Sequence, residues 1–525
     1  MFRRVVRVLF FVPRLKISNP TSPMPLGVLS IASYIKNSTD HEVRIVDRNL
    51  TFSDVNKEVS GFAPDIIGVS VISAVALSDA EYVSGIGKQA GKTVVWGGHF
   101  ATACAEMILR KGYADIISLG NGESTWRLLL EAYASGMGPD DVPGIMFRRD
   151  GAISKNPEAS DFPESELLRL DFDLIRVPDY YSGYYDNIAS RMIWLFAKRG
   201  CVGQCTFCCN KSFHHQRIVK KSYDVVCDEI RELVTKYHVD GIYFGDELWC
   251  VSGKEMRYQC DMLDGLGLDF VWGCSLRTDI LNKEDYDYMF EHGCRWIYFG
   301  VESGDPERLK TIKKGVDIAK VEQNVRDCYD AGILPTVSFI LGFPDETVEE
   351  LRRTAALMRR LSFFADLEVY YYTPVVGSEM YQQLVSRNRF FFDDDLDAFK
   401  TITWDHLNAK FLSQYSSIPF RDLKVILSCA VMWTTFNRDK SVPLAERKLN
   451  HAEGTQQSFA AKFFSKLFGV ISYSVKNRIL TDPVLFWLIL KSYVFRYASA
   501  LFYSVFFVRT KKKYQIRLFG KKSRS

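Results

Sequence analysis

Four cysteines lie within nine consecutive positions of a chain that has twelve in all. In the stretch RGCVGQCTFCCN, Cys201, Cys205 and Cys208 form the spacing C-x3-C-x2-C, and Cys209 follows directly. Closely spaced thiolates suit zinc or an iron–sulfur cluster. A four-cysteine structural zinc site usually takes two C-x2-C pairs, and the sequence offers no second pair. The stretch therefore predicts a site with three cysteine ligands, which would hold either zinc or an iron–sulfur cluster.

The amino terminus bears on whether these thiols form disulfides. MFRRVVRVLFFVPRLK resembles a signal peptide, but its apolar run is short, is interrupted by Arg7 and ends at Pro13 without a cleavage site. We therefore expect a buried first strand, a cytoplasmic protein and reduced cysteines. Cys209, next to a ligand, is expected to pack rather than to act in catalysis.

Strand and helix patterns alternate through the first 135 residues. This alternation predicts an α/β fold that begins with a doubly wound, Rossmann-like parallel sheet in a domain spanning 1–140. Ligands of such sheets bind at the carboxyl ends of the strands. The predicted strands are 6–12, 42–47, 66–71, 93–98 and 115–120.

A second alternating series follows a predicted linker at 141–190. Six βα units predict a partial parallel barrel, (βα)6, over 191–385, and the cysteine-rich loop directly follows its first strand. Active sites of such barrels lie at the carboxyl ends of the strands. Residues 386–525 read as a helical, aromatic-rich C-terminal region. The predicted barrel strands are 193–199, 241–247, 271–277, 296–302, 336–342 and 367–373.

The C-x3-C-x2-C spacing, with Phe207 before the last cysteine, resembles the signature of the radical S-adenosylmethionine (SAM) enzymes. The resemblance implies a 4Fe–4S cluster held by three cysteines, whose open iron binds SAM. One electron then cleaves SAM to a 5′-deoxyadenosyl radical that abstracts hydrogen from carbon. It also implies an electron donor such as flavodoxin or ferredoxin.

The barrel's strand ends, GDE, SLRTD, GVESG and GFPDET, resemble the nucleotide contacts of that family. Glycine allows close backbone approach to a ligand, although each glycine could equally serve a tight turn, and Asp246 and Arg277 could be paired structural charges. The SAM-binding residues implied are Gly245, Asp246, Glu247, Arg277, Gly300, Glu302, Ser303 and Gly342.

Three stretches of the first domain, PLGVLSIASYI, VVWGGHFATACAEMIL and LGNGESTWRLLLEA, resemble the cobalamin-binding modules of the class B methyltransferase branch. The D-x-H-x-x-G motif that often supplies an axial histidine is absent from 13–27, so cobalt would lack a protein histidine or the domain has lost the cofactor. His99 is expected to be a turn residue. The cobalamin-binding residues implied are Leu26, Gly27, Ser70, Ser73, Gly97, Gly98, Thr102, Gly120, Gly122 and Glu123.

The C-terminal region contains apolar segments within 459–508 and a basic tail at 509–525. Lys491 and Arg496 interrupt the more apolar segment, and each costs roughly 2.5–3.5 kcal/mol near a bilayer centre. One interpretation is an interfacial helix pair with a polybasic tail at the inner face of the membrane. The other is a helical cap on the barrel. Nucleic acid is disfavoured, because the basic run lies in no recognisable binding fold.

Together these features predict a cobalamin-dependent C-methyltransferase that acts on a small-molecule or lipid-like substrate. By analogy, one SAM recharges methylcobalamin and another yields the radical. An oxidative cyclase or rearrangement enzyme of the same branch is the alternative, and a non-catalytic cobalamin-binding sensor is the alternative of another class. A tRNA methylthiotransferase is disfavoured, because the first domain holds only Cys104 where a second cluster needs three cysteines.

Overall fold

The structure is a computed structural model that describes residues 4–15, 23–50, 53–159, 169–182, 188–387, 395–400 and 415–437. The predictions for 459–508 and for the basic tail at 509–525 lie outside these residues. Within the described part, no helix is both long enough and apolar enough to cross a membrane.

The first sheet has seven strands in the order β2-β1-β3-β4-β5-β6-β7. Strands β1 to β5 are parallel, as predicted. Their apolar, largely β-branched residues are buried, as in IIGVS of the central strand. The strands are β1 (Arg7–Val12), β2 (Glu42–Asp47), β3 (Ile66–Ser70), β4 (Thr93–Gly97), β5 (Ile116–Ser118), β6 (Ile145–Arg149) and β7 (Ala152–Lys155).

Helices cover both faces of this sheet. On one face, α1 and α6 bury residues such as Ile35 and Trp126 against Phe10 of β1. On the other face, α2, α3 and α5 join a core that continues without a break into the barrel. The doubly wound arrangement is therefore confirmed. The helices are α1 (Leu26–Ser38), α2 (Val55–Phe62), α3 (Leu77–Gln89), α4 (His99–Ala103), α5 (Ala105–Arg110) and α6 (Glu123–Ala134).

The range predicted as a linker contributes to both halves of the protein. Strands β6 and β7 fall within it and extend the first sheet with antiparallel pairing. Farther along, Leu170 and Phe172 are buried in the shared core. The boundaries at 140 and 190 stay predictions, because this segment packs as part of the folded body.

The second sheet has six parallel strands in the order β15-β14-β13-β12-β11-β8, as the predicted (βα)6 barrel requires. The predicted strand 193–199 is divided, because backbone N–H groups of Ala197 and Lys198 bond to Asp246 instead of continuing the ladder. Its second part is β9, which pairs with β10. The strands are β8 (Met192–Leu195), β9 (Lys198–Arg199), β10 (Val219–Lys220), β11 (Gly241–Phe244), β12 (Val271–Leu276), β13 (Cys294–Glu302), β14 (Leu334–Leu341) and β15 (Asp366–Tyr371).

Most helices of the second half begin at side-chain caps. Thr347 and Glu350, for example, form a reciprocal capping box at the start of α13. The described part of the predicted C-terminal region is helical at α15 and α16. The helices are α7 (Asn210–Phe213), α8 (Tyr223–Lys236), α9 (Gly253–Asp264), α10 (Lys283–Glu291), α11 (Pro306–Thr311), α12 (Ile318–Asp330), α13 (Val348–Leu361), α14 (Glu379–Ser386), α15 (Leu396–Phe399) and α16 (Phe420–Asn437).

Candidate active site

The predicted ligands Cys201, Cys205 and Cys208 lie on the loop between β9 and α7, and all three are half-buried. Backbone N–H groups already point at two of the sulfurs: Gly203 N lies 3.3 Å from Cys201 Sγ, and Asn210 N lies 3.5 Å from Cys208 Sγ. Among the described residues, no three His, Cys, Asp or Glu side chains are arranged to hold a single metal ion.

The loop leaves room beside its thiols. A Cβ built at Gly203 would stand 3.2 Å from Cys201 Sγ and 3.9 Å from Cys205 Sγ. A side chain there would occupy the space next to both sulfurs. Glycine at position 203 keeps this space free beside Cys201 and Cys205, and three cysteines in one loop fit a 4Fe–4S cluster, since such clusters are held by cysteine thiolates.

Burial affects the protonation of these thiols. It raises the pKa of Cys208 to about 12, although the Asn210 N–H acts in the opposite direction. It also raises the pKa of Cys205, and the Lys314 ammonium opposes this. Binding of a metal deprotonates a thiol outright, so burial of this kind is compatible with ligation.

A cavity of about 570 Å³ opens onto the loop at the carboxyl end of the barrel strands. Cys201, Cys205 and Cys209 all line it. The cavity also extends to Ser73 and Phe100 of the first half. The predicted SAM-binding residues in its wall are Glu247, Arg277, Gly300 and Glu302.

The other predicted SAM-binding residues lie elsewhere. Gly245 lines a second cavity instead. Ser303 is buried and shares a hydrogen bond of 3.2 Å with Thr354, and the Gly342 N–H donates to Glu346 over 2.6 Å. No described contact places either of them in the wall of the first cavity, so their predicted contact with SAM stays a prediction.

Asp246 is 1% exposed and supports the chain just before the cysteine loop. Its Oδ1 accepts hydrogen bonds from the backbone N–H groups of Ala197, at 2.8 Å, and Lys198, at 3.2 Å. Burial raises the pKa of this carboxyl to about 7, against the effect of those two N–H donors. Asp246 therefore acts in this structure as a positioning residue for the loop.

The second cavity, of about 410 Å³, lies at the carboxyl ends of the first sheet's strands. Ser73 lines the first cavity instead, and Thr102 accepts the Gly120 N–H over 3.1 Å. The predicted cobalamin-binding residues in the wall of the second cavity are Leu26, Gly27, Ser70, Gly97, Gly98, Gly120, Gly122 and Glu123.

The glycines of the second cavity fit a large ligand. A Cβ at Gly27 or Gly120 would point into open space. At Gly98, where φ is 102°, a Cβ would approach Val71 O to 2.9 Å, so this turn requires glycine. Backbone atoms and small side chains therefore form much of the wall of the second cavity, which allows a ligand to approach it closely.

The two cavities share a wall that includes Ile72, His99 and Glu247. His99 begins α4 and stacks on Phe213, with ring centroids 3.7 Å apart. Burial and the neighbouring His214 lower the pKa of His99 to about 4, so its imidazole is neutral at pH 7.

Arg199 joins the two halves of the protein, and the sequence carried no signal that identified it. Its Nη1 lies 2.7 Å from Oε1 of Glu123, a carboxylate that is 1% exposed. Ser30 Oγ donates to the same oxygen over 2.7 Å. Arg199 precedes Cys201 by two positions, so this ion pair connects the loop of the thiols to the wall of the second cavity.

Other residues of the first cavity also escaped the sequence analysis. Lys314 follows a helix in the unremarkable stretch TIKKGVD, and no motif signals its position. Aromatic residues from the ends of the later barrel strands complete the wall together with a residue of α15. They are Tyr298, Tyr370, Tyr371, Tyr372 and Phe399.

Replacing Asp246 tests its positioning role through pH. A raised carboxyl pKa means that the folded state retains a proton that the unfolded state loses, so its contribution to stability falls as pH rises from about 4 to about 7. D246N keeps an acceptor for the two N–H groups without this penalty. We expect the stability of D246N relative to wild type to increase from pH 5 to pH 8 by at most about 3 kcal/mol, since about two pH units of this window lie below the pKa and each is worth about 1.4 kcal/mol. The melting temperature of D246N relative to wild type should rise accordingly.

The control for this experiment is D240N, which alters a carboxylate in the same half of the chain that also bonds to backbone N–H groups but is more exposed. Its difference from wild type should not grow with pH. A difference for D246N that is constant or shrinks between pH 5 and pH 8 would contradict the assignment.

Two family models match separate parts of the chain. The Radical SAM superfamily matches residues 197–358, and the B12 binding domain matches residues 18–130. The first range contains the cysteine loop and the strands β11 to β14. The second contains most of the first sheet and its cavity.

Enzymes are among the proteins whose sequences are similar to this chain, and a solved structure among those with a similar fold is that of TsrM. An uncharacterized methyltransferase of Pyrococcus horikoshii, PH0819, is 28% identical and covers 73% of this chain and 84% of its own. The anaerobic magnesium-protoporphyrin IX monomethyl ester cyclase of Rubrivivax gelatinosus is 26% identical over 72% of this chain and 69% of its own. The radical SAM methyltransferase TsrM of Kitasatospora setae, solved with cobalamin and a 4Fe–4S cluster, aligns at TM-score 0.61 and 17% identity over 73% and 75% of the chains.

The two matched families indicate which cofactors the chain uses. A radical SAM domain uses a 4Fe–4S cluster and SAM, and a B12 binding domain uses cobalamin. The chain is therefore a radical SAM enzyme with a B12 binding domain, and its relatives include a methyltransferase and a cyclase.

Proposed function

We propose that this enzyme is a C-methyltransferase that acts on a small, largely apolar molecule. The observation that carries the proposal is the shared wall between the cavity of the thiols and the cavity of the first sheet. A methyl donor held in one cavity can thus meet a substrate held in the other. When bound, the cluster and SAM supply a 5′-deoxyadenosyl radical, and cobalamin supplies the methyl group.

In this proposal some residues at the first cavity would bind the cluster and others would bind SAM. Cys201, Cys205 and Cys208 would hold three irons and leave the fourth for SAM. Glu302 and Arg277, in the cavity wall, would orient the charged groups of SAM, because a carboxylate binds an ammonium and a guanidinium binds a carboxylate. Arg277 already forms an ion pair of 2.7 Å with Asp279, which orients its guanidinium.

The second cavity would receive cobalamin. Gly27, Gly98 and Gly120 would allow its close approach, and small hydroxyls such as Ser70 would bond to it. Glu123 would act mainly through its bond to Arg199, which holds the loop of the thiols next to the cofactor.

The remaining wall of the first cavity would bind the substrate. It is formed by aromatic residues and by Ile340, Val375 and Val376. Surfaces of this kind bind apolar ligands with a few oriented polar groups. A small-molecule or lipid-like substrate suits them better than a highly charged one.

Enzymes of this family act on small molecules and require a reductant. We infer an external low-potential protein, such as flavodoxin or ferredoxin, as the electron donor.

Removing each proposed ligand tests the cluster site. After anaerobic reconstitution, C201A, C205A and C208A should each lose the visible absorbance of the cluster and the formation of 5′-deoxyadenosine from SAM. C209A should keep the absorbance, because its thiol is not one of the three. Retention of the cluster and of cleavage in any of the first three variants would refute the site.

A labelled methyl donor distinguishes the two reactions of the branch. With SAM carrying a CD3 group and with cobalamin present, mass spectrometry should find a product heavier by one CD3 group. The C201A enzyme is the control and should give none. A product without label, formed with loss of hydrogen, would instead identify a cyclase.

The basic tail at 509–525 allows a test of peripheral membrane contact. The sequence predicts stronger co-sedimentation with vesicles containing phosphatidylserine than with neutral vesicles, since each basic residue contributes about 1 kcal/mol near an anionic surface. The chain without 509–525 should lose this preference. Equal sedimentation of both chains with both vesicles would contradict membrane contact and favour the helical cap.

A further inference from the structure

The geometry points to Lys314 as a positioning residue that holds Glu302 at the cavity wall and keeps a positive charge in the wall that Cys201 and Cys205 also line. In this position it stabilises the reduced form of the cluster. The inference rests on the proposed cluster site and extends it to a residue that no motif identified.

Lys314 is connected to the cysteine loop through the backbone. It follows α11, and its own N–H donates to Leu309 O over 2.9 Å. Two residues earlier, the carbonyl of Ile312 accepts the N–H of Thr206 over 3.0 Å. Thr206 lies between the ligands Cys205 and Cys208, so the segment of Lys314 and the loop of the thiols form one connected structure.

The side chain of Lys314 is nearly buried and paired. Its Nζ lies 3.0 Å from Oε1 of Glu302, and the two side chains are 10% and 9% exposed. Both residues line the first cavity together with Cys201 and Cys205. An ammonium has three donors, and only one of those of Lys314 bonds to another described residue.

The backbone conformation at Glu302 and the glycine at position 300 accommodate this ion pair. Glu302 has a φ of 72°, in the left-handed region that few residues other than glycine adopt. Strained backbone of this type occurs mainly at functional sites, where the surroundings hold it. A Cβ at Gly300 would stand 2.5 Å from Glu302 Oε1 and 2.8 Å from Lys314 Nζ, so the ion pair fills the place of that side chain.

The charge of Lys314 acts on the thiols. Burial disfavours its ammonium, but the Glu302 carboxylate outweighs burial and holds the pKa of Lys314 above its usual value. Because the ion pair is nearly buried, water screens the charge of Lys314 less than that of an exposed lysine. Because Lys314 lines the same cavity wall as Cys201 and Cys205, its positive charge lies on the side of the cysteine loop that faces this cavity.

A positive field favours reduction. One electron passes from an external donor, which is oxidised, to the cluster, which becomes more negative by one charge; no bond forms or breaks in this step. Nearby charge is one of the factors that set the potential of an iron–sulfur cluster. Loss of the Lys314 charge should thus make the cluster harder to reduce.

The test is a redox titration of the reconstituted full-length enzyme with dithionite, monitored by electron paramagnetic resonance. K314Q should shift the cluster's reduction potential to more negative values, and K314R, which keeps the charge, should stay near wild type. The matched control is K313Q, which removes the same charge from the neighbouring, exposed lysine that pairs with Glu379. An unchanged potential in K314Q, or an equal shift in K313Q, would overturn the inference.

A second variant covers the case in which K314Q does not retain its cluster. E302Q removes the opposing negative charge, and the negative charge of a bound cluster with its three thiolates favours the protonated form of Lys314. The potential of this variant should therefore shift to more positive values. A null or negative shift in E302Q would overturn the inference. If the wild-type enzyme assembles no cluster, the proposed function itself fails. If the cluster assembles and only the expected shifts are missing, the role of Lys314 alone fails.

Discussion

The buried ion pair between Glu123 and Arg199 is the contact on which the arrangement of this enzyme depends. It joins the amino terminus of α6, at the cavity of the first sheet, to the residue two positions before the first proposed cluster ligand. A carboxylate that is 1% exposed is costly without a cationic partner. Separating the two halves would therefore leave the Glu123 carboxylate without its cationic partner. The ion pair thus keeps the two cavities side by side.

Other buried polar groups around the site serve the same purpose. Asp246 anchors the chain before the loop through two backbone N–H groups, and Glu247 accepts the N–H of Gly200 over 2.9 Å. Burial works against ionisation of Glu247, but the neighbouring His214 and the backbone donors outweigh it and lower its pKa. The GDE stretch at the end of β11 thus acts largely as a support for the thiols.

Local patterns in the sequence predicted the strands and the glycine-rich turns correctly, because residues close together in the chain determine these features. Apolar runs predicted the parallel strands of both sheets, because strands covered by helices on both faces must be apolar throughout. Most of the glycine-rich turns assigned to cobalamin do lie at one cavity, since the carboxyl ends of parallel strands share one edge. Local patterns were less informative for Ser303, whose partner Thr354 comes from a later helix, α13.

The sequence by itself determined the chemistry of this protein: three thiols at the spacing of a cluster loop, and glycine turns that admit a large cofactor. Spacing along the chain is sufficient there, because the ligands lie within one loop. Only the tertiary structure decided what surrounds them. Arg199 forms its ion pair with Glu123, which lies 76 positions earlier in the sequence. The segment that contains Lys314 is joined to the cysteine loop by a hydrogen bond from the Thr206 N–H to the Ile312 carbonyl. Such contacts depend on how separate elements pack, and no local pattern of residues encodes them.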